Sequence, residues 1–258
     1  MNSLGRYLCC LILLSGMIGL AQTSTPFEEG KEAYKNGNYR KAIDHWSSIL
    51  KTDQHSAALY YNLGNAYYKL NEIGPSIFYY EKALQLAPGD RDIKNNLSFA
   101  QNARVDAIEP LPKTIFKVWY QRISGLFSYD GWARLSVVLS FLSATLFLLY
   151  YFSGSEKRKR VAFISSVVLG MFLVFCAGMA FLTFNDYKND RPAIVFSTQV
   201  DVRSEPTVGG EAVFILHEGT KVQILDRDGE WARISIADGK DGWLPSSAIK
   251  ELKGSVAF

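Results

Sequence analysis

Two long runs without a charged residue, 135–152 and 161–184, dominate the hydrophobic pattern of this chain. At about 1.5 Å of rise per residue the runs reach about 27 and 36 Å as helices, and the hydrocarbon core of a bilayer is about 30 Å thick. Residues 153–160 between them carry four cations and one anion. Because basic residues near span ends resist translocation, the pattern predicts a two-helix transmembrane hairpin (133–152 and 161–184), a basic cytoplasmic loop at 153–160, and external parts on both sides.

Two shorter apolar patterns precede the hairpin. Residues 1–22 hold one cation, Arg6, followed by an apolar stretch and small residues, which predicts a signal peptide over 1–21. Over 110–132 apolar residues recur at helical spacing, at Phe116, Trp119, Tyr120, Ile123, Leu126 and Phe127. This amphipathic juxtamembrane helix either lies in the membrane interface or packs on the preceding domain, and both alternatives remain open.

Self-similarity organises residues 24–106. A shift of 34 positions pairs Gly30 with Gly64 and Trp46 with Tyr80, and each unit has the pattern of two helices. The spacing resembles the tetratricopeptide repeat (TPR). Its eight signature positions in the second unit are filled, in identity or in kind, by Tyr60, Leu63, Gly64, Tyr67, Ser76, Tyr80, Ala83 and Pro88. The resemblance implies an all-α domain whose last repeat is covered by a capping helix over 90–105.

The TPR resemblance also implies a concave groove that binds an extended peptide. The matching positions are Phe27, Lys31, Tyr34, Lys35, Tyr61, Asn65, Tyr68, Lys69, Asn95 and Phe99. Asp92 and Asn96 stand where the carboxylate-clamping variety has cations, which speaks against a C-terminal carboxylate as ligand. The alternative is that the tyrosines cover the groove and pack on the cap, while the lysines form a solvated face.

Short alternating strands follow the hairpin, at 193–196, 199–203, 212–216, 221–225, 231–236 and 242–244. Arg203 and Pro206 in the first loop, Gly219, and the pair Gly242-Trp243 resemble the bacterial SH3 domain over 193–252. The resemblance implies an all-β SH3-like barrel that binds cell-wall peptides or proteins, or only supports a neighbouring domain. Arg203 and Trp243 are its candidate ligand surface, and Trp243 could equally belong to the core.

Charge and candidate chemistry add little to this picture. The net charge is +3, part of it in the loop cations, so we expect no nucleic-acid partner. The histidines His45, His55 and His217 are scattered, and none of the nucleophile, phosphate-binding or zinc motifs occurs. We therefore expect no enzyme, no cofactor and no metal site. The external parts after residue 21 contain no cysteine, so no disulfide is expected.

The order of the parts, a repeat domain, a two-span hairpin and an SH3 domain, resembles the BatE-type proteins of the bacterial Bat aerotolerance group. This resemblance implies a multi-domain protein of the bacterial inner membrane with both terminal domains periplasmic, and partners among von Willebrand factor A-type and MoxR-associated membrane components. The leading hypothesis is a non-enzymatic membrane-anchored scaffold for envelope proteins in a stress or aerotolerance complex. The alternatives are a cell-wall protein that binds peptidoglycan peptides and an anchored chaperone-like protein.

Overall fold

The structure is a computed structural model and describes residues 25–253. The signal peptide predicted at residues 1–21 lies outside the described residues. The chain forms two compact units that divide between Ala100 and Gln101. The first contains the repeat helices, and the second contains the apolar helical hairpin and a β-sheet.

Five helices build the repeat region, in the two-helix units that the period of 34 predicts. They are α1 (Pro26–Lys35), α2 (Tyr39–Leu50), α3 (Ala57–Lys69), α4 (Ile73–Leu86) and α5 (Arg91–Asn102). Side-chain caps define the starts of the first helix of each pair: the Thr25 hydroxyl accepts a hydrogen bond from the Glu28 N–H, and the Ser56 hydroxyl from the Leu59 N–H. Positive φ angles at Gly37 and Asn71 allow the tight turns between paired helices.

The paired helices interlock through a glycine and an aromatic ring in each repeat. A Cβ on Gly30 would lie 2.3 Å from the Trp46 indole nitrogen, and a Cβ on Gly64 would lie 2.6 Å from the Tyr80 ring. Both rings are fully buried. The glycines are required because each ring fills the space that a side chain would take, which is why they recur one period apart.

The stretch predicted as one amphipathic helix over 110–132 contains a shorter helix. Helix α6 (Ile115–Ser124) begins after Thr114, whose hydroxyl accepts from the Lys117 N–H, and ends at Gly125. A cap at Ser128 then starts the next helix at Tyr129, so residues 129–132 belong to the first apolar helix. The apolar side chains of α6 are largely exposed, with Phe116 and Trp119 among the most exposed.

Two long helices form an antiparallel hairpin, α7 (Tyr129–Phe152) and α8 (Glu156–Asn189). Trp132 meets Phe175 near one end and Tyr150 meets Phe163 near the other. Both helices are long and apolar enough to cross a membrane, by length and composition. The predicted loop at 153–160 is shorter in the structure, because its four cations lie in the first turns of α8.

Serine side chains join the two helices near their middle. The Ser143 hydroxyl donates to the Ser166 carbonyl (3.0 Å), and the Ser166 hydroxyl donates to the Ser143 carbonyl (3.1 Å). The helix interface therefore runs through Ser143 in α7 and Ser166 in α8, while the neighbouring Ala144 is exposed.

The C-terminal part is a seven-stranded antiparallel sheet with the order β3-β2-β6-β5-β4-β1-β7. Its strands are β1 (Pro192–Val195), β2 (Gln199–Arg203), β3 (Ala212–His217), β4 (Lys221–Asp228), β5 (Trp231–Ser235), β6 (Asp241–Pro245) and β7 (Ile249–Glu251). Six of them lie where the alternation of the sequence predicts strands. The predicted closed barrel is wrong for the described strands. The hydrogen-bonded strand order ends at the three-residue β7 and does not return to β3.

One side of the sheet encloses a compact apolar core. The fully buried side chains include Val202, Leu216, Ile234 and Leu244. Strands β2 and β6 approach closely at Gly242, where a Cβ would lie 2.6 Å from a Val202 methyl group and 2.9 Å from the Arg203 carbonyl oxygen. This contact explains why a glycine precedes Trp243. Because side chains alternate along a strand, Trp243 lies on the face opposite the buried Leu244.

Candidate functional site

A hydrogen-bonded floor joins three helices of the repeat region. The Tyr80 hydroxyl donates to the Asn65 side-chain oxygen at 2.6 Å. The Asn96 amide donates both to the same oxygen and to the Tyr61 hydroxyl, each at 2.9 Å. The structure thus brings the predicted groove residues Tyr61 and Asn65 together. It adds Tyr80, which is a signature position of the repeat, and Asn96, which stands where the carboxylate-clamping variety has a cation.

The Tyr80 hydroxyl of this floor and the nearby Tyr34 hydroxyl are neutral hydrogen-bonding groups. Burial, followed by the nearby Tyr61 and Tyr34, raises the pKa of the Tyr80 hydroxyl. Burial also raises the pKa of Tyr34, with smaller contributions from Tyr39 and Tyr61. The hydroxyls therefore keep their protons at physiological pH, and the floor presents uncharged donors and acceptors of the kind that pair with a peptide backbone.

Exposed side chains share helix faces with the floor residues. At helical spacing, Tyr68 follows Tyr61 and Asn65 on α3, and Phe99 follows Asn96 on α5. Phe99 is 63 % exposed and Tyr68 is 37 % exposed. Uncharged polar groups and exposed aromatic side chains on the same helix faces suit an extended polypeptide segment. The predicted groove residues Asn95, Lys69 and Lys35 are also exposed.

The remaining predicted groove residues belong to the packing of the first helix. The Lys31 ammonium lies 3.0 Å from the Glu28 carboxylate and 5.9 Å from the centre of the Phe27 ring. The Phe27 carbonyl accepts the indole N–H of Trp46 at 3.1 Å. Phe27 and Lys31 thus have partners within their own repeat, and the hydrogen-bonded floor is built from the second repeat and α5.

The outer face of the sheet carries the second predicted surface. Trp243 on β6 lies between Arg203 on β2 and Arg233 on β5 in the strand register. The Arg203 guanidinium donates to the carbonyls of Val208 and Gly210 at 2.6 and 2.7 Å, so it holds the β2–β3 loop. Trp243 is partly exposed on this face. Arg203 therefore shapes the surface, and Trp243 is the residue available to stack on a ligand.

Comparison with protein families agrees with both architectures. Residues 198–250 match the bacterial SH3 domain. Residues 57–90 match the tetratricopeptide repeat, and residues 30–71 match a second TPR model. The chain therefore contains TPR repeats and a bacterial SH3 domain, joined by two apolar helices. TPR and SH3 domains are modules for protein–protein interaction, and such modules are typically non-catalytic.

The described residues offer little for metal chemistry. Within residues 25–253, no group of three or more histidine, cysteine, aspartate or glutamate side chains is placed to hold a metal ion. The described cysteine, Cys176, is buried between the apolar helices. The chemistry that these surfaces support is recognition of polypeptide.

Proposed function

We propose that this protein is a non-enzymatic membrane-anchored scaffold, which holds a polypeptide segment of another membrane protein in its TPR groove. The observation that carries the proposal is the combination of the Asn65–Asn96–Tyr80 floor with the exposed Tyr68 and Phe99 on the same helix faces. A groove of two repeats is small, so its affinity for one segment is modest, and anchoring in the same membrane as the partner compensates by raising the local concentration.

The antiparallel hairpin supports an arrangement with both modules on one side of the membrane. Residues that precede α7 and residues that follow α8 leave the hairpin at the same end, where Tyr129 contacts Phe184 and Tyr187. The cations at 157–160 lie at the other end. Basic residues favour the cytoplasm, so we assign the TPR and SH3 domains to the periplasmic side of a bacterial inner membrane.

The partners that we propose follow from the resemblance to the Bat group. They are von Willebrand factor A-type membrane proteins and components associated with a MoxR-type ATPase, in a complex related to stress or aerotolerance. The groove would receive a segment of such a protein, and the SH3 domain would contact a second component.

The orientation is tested by single cysteines in a cysteine-free background, in which Cys9, Cys10 and Cys176 are replaced. Gly89→Cys, Gly154→Cys and Gly209→Cys place the thiol in the repeat, between the helices and in the SH3 loop, and nothing lies within 4 Å of a Cβ at these positions. A membrane-impermeant maleimide added from the periplasmic side should label residues 89 and 209 and spare residue 154. Labelling of residue 154 alone would show that the TPR and SH3 domains lie on the cytoplasmic side instead.

Partner capture is tested by crosslinking in intact membranes followed by identification of the captured proteins. The double variant Tyr68→Ala/Phe99→Ala removes the exposed aromatic side chains and leaves the hydrogen-bonded floor unchanged. Leu86→Ala, an exposed apolar residue at the end of α4, is the matched control. We expect captured membrane proteins to disappear from the double variant and to persist in the control. Capture that is equal in all three chains would contradict the proposed groove.

A second candidate function is binding of peptidoglycan peptides by the SH3 domain. The position of Trp243 between two arginines favours it, since stem peptides carry both carboxylates and apolar methyl groups. Detergent-solubilised full-length protein should then sediment with insoluble cell wall, and Trp243→Ala should reduce sedimentation. If the natural chain stays in the supernatant, the wall-binding function is excluded.

A further inference from the structure

The chain between the repeat and the membrane contacts the SH3 domain over residues 105–111, named here the linker segment. The Asp106 carboxylate accepts three hydrogen bonds: from the His217 backbone N–H at 2.7 Å, from the His217 ring at 2.7 Å and from the Thr220 hydroxyl at 2.6 Å. Thr220 is only 1 % exposed. Partners 111 and 114 residues away in the sequence therefore surround one carboxylate.

The donors around Asp106 are arranged for an anion. Burial by itself would raise the pKa of the Asp106 carboxyl, but the hydrogen bonds from Thr220 and His217 hold the pKa below its usual value. A backbone N–H, a hydroxyl and an imidazole that converge on one point form a carboxylate-binding site on the SH3 domain.

Two further residues of the linker segment contact the same domain. Ile108 packs against the apolar core of the sheet, two residues after Asp106. The Leu111 N–H donates to the Ala237 carbonyl at 3.0 Å, and the Leu111 side chain covers Gly239, where a Cβ would lie 2.8 Å away. The surface of the SH3 domain that these residues contact, at His217, Thr220, Ala237 and Gly239, is named the linker groove. It contacts an acidic side chain, then an aliphatic side chain two residues later, and then the backbone of the linker segment.

The linker segment is attached to the sheet as a bound peptide would be. Residues 105–111 form neither helix nor strand, and Val105 is 71 % exposed. The buried core residues of this cluster all come from residues 193–248, and Ile108 lies at its margin. All buried residues of the sheet's core cluster therefore lie outside the linker segment.

We propose that this groove is a peptide-binding site of the SH3 domain, specific for an extended segment with a carboxylate followed two residues later by a branched aliphatic side chain. The linker segment is its ligand in cis. A tethered ligand has an effective concentration in the millimolar range, so the site is closed to weak ligands. It opens to a partner segment of the same chemistry when that segment is held nearby, and this releases the chain that leads to the TPR domain.

The test uses full-length protein in detergent and a fluorescent peptide with the sequence of residues 104–112. The variant Asp106→Ala/Ile108→Ala removes the cis ligand and leaves the groove intact, while Glu109→Ala is the control for a loss of charge in the same segment. We expect the peptide to bind the double variant about tenfold or more tightly than the natural chain or the control. Adding Thr220→Val to the double variant should abolish the binding.

Two results would overturn the proposal. One is a double variant that unfolds cooperatively like the natural chain but binds the peptide no more tightly than the natural chain does. This result would show that the groove is not a peptide-binding site. The other is a double variant that loses its folded SH3 domain, because the linker segment would then be a permanent part of the fold. Near-ultraviolet circular dichroism distinguishes the two.

Release of the linker segment also has a readout that needs no peptide. Trypsin cleaves after Arg104 and Lys113, which flank the segment. We expect cleavage at Arg104 to be about tenfold faster in Asp106→Asn than in Glu109→Ala, because Asp106→Asn removes the charge that orders the donors. Equal rates would show that the carboxylate does not hold the segment.

Discussion

The TPR groove and the linker groove of the SH3 domain suit the same kind of ligand, an extended polypeptide, but they are built differently. The floor of the TPR groove joins residues 15 to 35 positions apart, which is up to about one period of the repeat. The carboxylate site of the linker groove joins residues 111 and 114 positions apart. The TPR groove presents exposed aromatic side chains, and the linker groove is filled by the chain itself.

This difference distinguishes a surface that we propose is available for capture from one that we propose is regulated. We expect binding in the TPR groove to depend on Tyr68 and Phe99. We expect binding in the linker groove to depend on a carboxylate whose hydrogen-bond donors are already satisfied. Variants that affect one groove should therefore leave the other unchanged.

The largest effect is expected from Gly64→Ala in the repeat. The added methyl group would lie 2.6 Å from the Tyr80 ring, and overpacking of this kind costs about 2–3 kcal/mol in the free energy of unfolding. Gly89→Ala has no atom within 4 Å of its Cβ and should change stability by less than about 0.5 kcal/mol. Denaturation followed by far-ultraviolet circular dichroism measures both. Trypsin cleavage at Arg104 under native conditions should be the same in both.

The linker groove should respond to pH where the TPR groove does not. The pKa of Asp106 in the folded protein lies below its ordinary value of 3.8, so its ionised form stabilises the fold above that pH. This contribution is lost as the pH falls through the lower, folded-state pKa. The stability difference between the natural chain and Asp106→Asn should therefore be full at pH 6 and vanish in strong acid. A difference that persists unchanged below pH 2 would contradict an ionic role.

A smaller effect is expected from Asn96→Ala, which removes two hydrogen bonds from the TPR floor. The Asn65 oxygen keeps its bond from Tyr80, so we expect a loss of about 1 kcal/mol in the free energy of unfolding. Asn95→Ala, one position earlier and exposed, should be neutral for stability and should weaken partner capture. Thermal unfolding together with crosslinking yields distinguishable results for the two variants. Equal destabilisation by both would deny that Asn96 has a special role in the floor.

The smallest effect concerns the hairpin that carries both grooves. Ser166→Ala removes one of the two reciprocal bonds with Ser143, and such bonds between membrane helices are worth about 0.6 kcal/mol. Neither tryptic cleavage at Arg104 nor partner capture should change. The control is Ser140→Ala, because the Ser140 hydroxyl bonds within its own helix. Unfolding in mixed detergents measures the difference in the free energy of unfolding between the two variants.

Much of the fold follows from local sequence signals. The repeat was predictable because Gly30, Gly64 and the rings they face recur at one fixed spacing. The apolar helices and six strands follow from residue patterns alone. The open sheet did not follow, since alternation identifies strands but not whether the last one returns to the first. The interface at Ser143 does not follow from the sequence, because small residues do not fix the rotation of a helix about its axis.

The sites were less predictable than the fold. Tyr61 and Asn65 could be named from repeat positions, and Asn96 was visible as an exception to the carboxylate-clamping pattern. The linker groove had no comparable signal, because Asp106 stands in an unremarkable stretch between a helix and two prolines. Its partners His217 and Thr220 follow the whole apolar hairpin, and contacts over such distances have no local periodicity.

We expect the TPR groove to capture another protein while the linker groove holds this chain. A photo-reactive phenylalanine analogue placed at Phe99 in one chain and at Ala107 in another tests it in intact membranes. We predict that position 99 forms an adduct with a second membrane protein, and that position 107 forms only an internal crosslink to the SH3 domain of the same chain. An adduct with another protein from position 107, and none from position 99, would contradict both proposed roles of the two grooves.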